Sequence, residues 1–114
     1  MWASAMLRLH DDEVRQIYTD YKALEQQVTS EIEELRRQKQ SMKRQLKSGQ
    51  LAPRSYQDAL KTVKAQTCQL KRQLSSFEYK VKWRFRDEGM ISTQDICAYV
   101  ENKDKAESDT TNNY

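Results

Sequence analysis

From Leu7 onward, apolar residues recur at seven-residue steps: Leu7, Val14, Tyr21, Val28, Leu35 and Met42. Ile17, Leu24, Ile32 and Leu46 fall between them, with Lys39 at an intermediate seam position. A heptad stripe of this kind belongs to a helix that packs against another helix along one seam. The single four-residue step between Val28 and Ile32 relaxes the supercoil without ending the helix. A second stripe follows: Tyr56, Leu60, Val63, Thr67, Leu70, Leu74, Phe77, Val81 and Phe85. Apolar residues never alternate with period two over a useful length, so strands are excluded.

The segment LKSGQLAPRS, residues 46–55, separates the two stripes and holds Gly49 and the chain's only proline, Pro53. Gly49 can take the left-handed conformation that ends a helix. Pro53 cannot continue a helix from its interior but tolerates a first turn. Ser55, with Asp58 three residues later, resembles a cap for a returning helix. Folding the chain here sets Leu46 opposite Tyr56, Met42 opposite Leu60, Leu35 opposite Thr67, Ile32 opposite Leu70 and Tyr21 opposite Val81. That register survives the four-residue step and needs only a short turn.

The sequence therefore predicts an all-α fold: a long antiparallel helical hairpin, a coiled coil over residues 13–88 with its turn at about 48–54. Residues 1–12 form a segment that can continue into the first helix. Gly89 ends the second arm as Gly49 ends the first. Ser92 or Thr93 then caps a short third helix at the base, residues 92–103, carrying Ile96, Tyr99 and Val100, with Asp95 in its first turn. The polar remainder, residues 104–114, is expected to be disordered.

Composition narrows the function classes. The chain of 114 residues is 32% charged and 37% apolar, with two glycines, the profile of long solvent-washed helices around a small core. No run of about 18 apolar residues is present to span a bilayer. The start, MWASAMLRLH, lacks a basic leader and a sustained apolar run, so no signal peptide is expected. Cys68 and Cys97 have no metal-ligand spacing, and the single histidine, His10, cannot complete a zinc site with them. Two scattered cysteines in a helical chain read as free thiols of an intracellular protein, with no choice between cytoplasm and nucleus. His10, beside Asp11 and Asp12, reads as a surface residue. There is no phosphate-binding glycine loop and no nucleophile–base pair, so neither catalysis nor a cofactor is expected.

Charge and aromatic residues are both unevenly placed. Residues 35–77 hold Arg36, Arg37, Lys39, Lys43, Arg44, Lys47, Arg54, Lys61, Lys64, Lys71 and Arg72 against one acid, Asp58. Solvation favours mixed signs, because like charges repel along a helix and across a seam. An excess of this size attracts acidic or polyanionic partners. The first nine of those bases, through Lys64, form the candidate partner-binding tip. Most aromatics cluster at the opposite end of the hairpin, as a small core where the third helix and N-terminal segment cross the arms. Within that cluster Trp2, Tyr79 and Trp83 are candidates for a docking surface.

Three functions fit. A noncatalytic assembly or adaptor subunit would pack with partner helices, as a homo- or hetero-oligomer, because a thin seam buries little by itself. Nucleic acid could bind the basic tip, although Tyr56 is the tip's one aromatic for stacking. An anionic membrane or a microtubule surface is a third partner class; for lipid, the apolar MWASAML and the basic tip lie at opposite ends of the hairpin. The adaptor reading is preferred.

Overall fold

The computed structural model describes the backbone of residues 11–112 and the side chains of residues 12–106. Trp2, Leu7 and His10, with nearly all of the expected segment 1–12, lie outside the described residues. Among the described residues there are three α-helices, α1 (Asp11–Lys47), α2 (Pro53–Arg84) and α3 (Thr93–Asn112), with a 3-10 turn at Arg86–Glu88 between the last two. No strand occurs among the described residues. The chain is thus an all-α antiparallel hairpin followed by a third helix.

Both glycines end their helices in the same way. At the first turn the Gln50 N–H donates to the Gln45 carbonyl at 2.9 Å and the Gly49 N–H to that of Leu46 at 3.2 Å, with φ +80° at Gly49. At the second, the Met90 N–H donates to Phe85 at 2.8 Å and the Gly89 N–H to Arg86 at 3.3 Å, with φ +95° at Gly89. Each pair closes a Schellman motif, which satisfies carbonyls that a helix end would leave open.

The N-terminus of α2 corrects one expectation. The helix begins at Pro53, so Ala52 stands at the cap position and Ser55 lies inside the first turn. Proline's fixed φ and missing N–H suit the first helical position, and the Tyr56 N–H donates to the Ala52 carbonyl at 3.0 Å. At α3 the choice between Ser92 and Thr93 is resolved in favour of Ser92. Its hydroxyl accepts from the Asp95 N–H at 3.1 Å, while the Ser92 N–H donates to the Asp95 carboxylate at 3.2 Å, a reciprocal capping box. The helical backbone of α3 also runs on to Asn112, beyond the expected boundary at residue 103. Lys103, Lys105 and Ala106 are good helix formers, and no glycine or proline stands in the way.

The fold divides into two compact units. One comprises, among the described residues, 11–23 and 76–112. Its core is Val14, Ile17, Val81, Phe85, Ile91, Ile96 and Val100, with Tyr18, Phe77 and Tyr99 packed against it. All three helices contribute, which is why residues such as Val14 and Ile96 reach 1% exposure. Tyr21 meets Phe77 with ring centroids 5.7 Å apart and hydrogen-bonds Glu78 at 3.1 Å, within one turn of its expected partner Val81. The other unit, residues 24–75, contains the facing parts of α1 and α2 and the turn between them. Here two helices cannot enclose a seam. Val28, Leu35 and Val63 are buried, while Leu24, Ile32, Met42, Leu46, Leu60, Leu70 and Leu74 are only half-buried. Lys39, set in the seam by its spacing, is exposed.

Candidate functional site

The basic tip lies within the unit of residues 24–75, and its side chains are carried by the outer faces of α1 and α2. Positions of the heptad other than the seam point to water, and the sequence fills them here with Lys, Arg and Gln. All eleven basic residues from Arg36 to Arg72 are exposed. Arg37 pairs with Glu34 at 3.3 Å, one helical turn away. None of the other ten has an ion pair among the described residues.

These cations are not spread evenly around the two helices. A groove of about 520 Å³ on one side brings together Arg36 and Lys39 from α1 with Lys64, Lys71 and Arg72 from α2. Ile32, Leu35, Val63 and Thr67 also line it, and no carboxylate does. A second groove, of about 400 Å³, is lined by Glu31, Glu34, Leu35 and Leu70 together with three glutamines, and by no cation. Of the nine tip residues expected from sequence, Arg36, Lys39 and Lys64 meet in the first groove, whereas Arg37, Lys43, Arg44, Lys47, Arg54 and Lys61 do not line it. Lys71 and Arg72, part of the basic block but not of the expected tip, do. The signal that could have placed them is heptad phase: Arg36 follows seam residue Leu35, and Lys64 and Lys71 follow seam residues Val63 and Leu70.

The aromatic residues separate into two groups. Tyr18, Tyr21, Phe77, Phe85 and Tyr99 belong to the packed interior of residues 11–23 and 76–112 or its margin. Tyr79 and Trp83 do not. They are 62% and 46% exposed, with ring centroids 6.0 Å apart in an edge-on arrangement. One turn apart on α2, they sit two positions out of phase with Phe77, Val81 and Phe85, on the face away from that core. Trp2, the third member expected of this surface, lies outside the described residues.

Around the same core, polar contacts tie the helices together at their rims. Arg15 pairs with Asp104 at 2.9 Å, Lys22 with Glu101 at 3.4 Å, and Arg84 with Glu13. These exposed pairs fix orientation more than they add stability. The Tyr18 hydroxyl donates to the Glu101 carboxylate at 3.2 Å, and Lys22 stands 5.9 Å from the Tyr18 ring centre. Burial, together with that hydrogen bond and the charge of Glu101, holds the Tyr18 phenol above its ordinary value. Both cysteines are free thiols, Cys68 exposed in the lining of the basic groove and Cys97 buried. No helix among the described residues is long and apolar enough to cross a membrane.

Comparison with known proteins finds no matching family model, no matching curated sequence and no matching solved structure.

Proposed function

We propose that the protein is a noncatalytic coiled-coil assembly or adaptor subunit, which packs with partner helices and presents its basic hairpin surface to an acidic partner. The observation that carries this reading is the set of eleven exposed bases against a single acid in residues 35–77, ten of them without an ion pair among the described residues. Cations held on helices and left unpaired raise the local potential and draw in negative charge. The half-buried seam of residues 24–75 supports the packing part of the reading. A two-helix arrangement leaves leucines partly wet, and further helices would complete their burial.

Nucleic acid is the second reading, favoured by the same unpaired cations. It ranks below an acidic protein because Tyr56, the one aromatic of the basic tip, is half-buried, which limits base stacking.

Fluorescence anisotropy of labelled poly-L-glutamate, titrated with the full chain, tests the electrostatic part. Binding is expected at low salt and weakens as salt rises, and Arg36/Arg37/Lys43/Arg44→Glu reduces it by about tenfold or more. Equal binding by the wild type and this variant, or no binding at low salt, would overturn the proposal.

A further inference from the structure

We infer that the cationic groove between α1 and α2 is the seat of a third helix, an acidic amphipathic segment of another chain. The inference rests on the reading of the basic surface as a site for an acidic partner, and it specifies where and in what form that partner binds. Three features of the groove fix the chemistry.

Its floor is apolar: Leu35 and Val63 are buried there, and Ile32 is half-buried with nothing above it among the described residues. Its walls are cationic, with five bases, no carboxylate, and none of the five in an ion pair among the described residues. An apolar or basic helix laid on this floor would crowd or desolvate those charges without compensation, whereas glutamates flanking an apolar stripe would pair with them. Finally, the backbone donors and acceptors of α1 and α2 are spent inside the helices, so the groove offers no edge to an added strand. A helix can seat its ridge of side chains between two others, as in a three-stranded coiled coil. From Val63 to Ser75 the α2 wall is about 18 Å long at 1.5 Å per residue, room for three to four turns of such a helix.

A second copy of this chain is the weaker occupant. Its acidic stretch at the start of α1 carries the stripe Val14, Ile17 and Tyr21, and that stripe is already buried in its own core. In α3, Ile96 and Val100 are buried likewise. Among the described residues, no acidic helix keeps a free apolar face to offer.

Cys68 lines the groove and is exposed, whereas Cys97 is buried, so selective alkylation of the full chain reports occupancy. The probe is a designed peptide of about 21 residues, long enough to hold a helix, with leucine at the seam positions and glutamate elsewhere. A scrambled peptide of the same composition and a short DNA duplex serve as controls. The amphipathic peptide is expected to slow alkylation of Cys68 by about tenfold at saturation and to bind about tenfold more tightly than the scramble. Arg36/Lys64/Lys71→Glu, and the neutral Arg36/Lys64/Lys71→Gln, abolish the protection while circular dichroism stays unchanged. Lys43/Arg44/Lys47/Arg54→Glu leaves it in place.

Equal binding of both peptides, or loss of protection only in the Lys43/Arg44/Lys47/Arg54 variant, overturns the groove and leaves the basic-surface reading standing; protection by the duplex alone overturns the helical occupant and favours nucleic acid over an acidic protein. Protection of Cys68 in concentrated protein without peptide, lost on dilution, assigns the groove to a second copy and overturns the inference. Absence of binding by every probe at low salt overturns both.

Discussion

At the residue scale, helical phase decides which side chains hold the fold and which are free to meet a partner. Phe77, Val81 and Phe85 follow the seam at four-residue steps and pack inward, while Tyr79 and Trp83 lie on the opposite face and remain exposed. Phe85→Ala should therefore cost about 3–5 kcal/mol in urea unfolding, because it removes a ring that is 2% exposed and leaves a cavity. Tyr79→Ala should stay within about 0.5 kcal/mol of wild type. Equal costs would place the core elsewhere. This division was legible in the sequence, since a two-position offset along α2 is enough to separate the two groups. Ile91, at 1% exposure, and the buried Thr93 were not legible as core. They belong to no long periodic run, and their burial depends on where the chain turns back after Gly89.

Tyr18 adds a pH signature at the same scale. Its phenol is held above the ordinary value of about 10, chiefly by burial and then by Glu101, so the folded state keeps the proton more tightly than the unfolded chain does. The associated stability is fully present below pH 10 and is lost as pH rises through the folded-state value. Tyr18→Phe should thus be less stable than wild type by a constant margin up to about pH 10, and the margin should shrink above it. Urea titrations of both proteins from neutral to strongly alkaline pH check this; a margin that widens above pH 10 would contradict the assigned direction.

At the scale of elements, the turns carry the most information per residue. Gly49 and Gly89 sit at matching points of two Schellman motifs, and a β-carbon added at Gly49 would meet nothing within 4 Å. Gly49→Ala should consequently cost about 1–2 kcal/mol from backbone conformation alone, with Gly49→Asn costing less, as read by thermal unfolding. A neutral alanine would mean that the left-handed turn is not retained. The glycine stops were legible because few residue types tolerate positive φ. The start of α2 was read less well: Ser55 and Asp58 have capping spacing, but Pro53 two residues earlier already satisfies the requirements of a first helical position. Spacing identifies residues able to cap, and backbone geometry selects among them.

At the scale of the whole molecule, the chain's modest net charge of +3 conceals a concentration of eleven bases in residues 35–77. Counting charges located the basic block but could not say which cations meet, because that depends on helix azimuth once the two arms are in register. The structure gathers Arg36, Lys39, Lys64, Lys71 and Arg72 in one groove and leaves the other groove free of cations. The residues 24–75 combine this cationic wall with a seam that two helices leave half-wet, and those two deficits, of negative charge and of apolar cover, are what an acidic helical partner would supply. The function proposed for this protein is recruitment of such a partner through its basic surface. Its most direct test is affinity purification of the full chain from its native source, after nuclease treatment, beside the Arg36/Arg37/Lys43/Arg44→Glu variant. Acidic, helix-rich proteins should be retained by the wild type and lost from the variant; identical partners on both, or nucleic acid as the only material recovered without nuclease, would refute such recruitment.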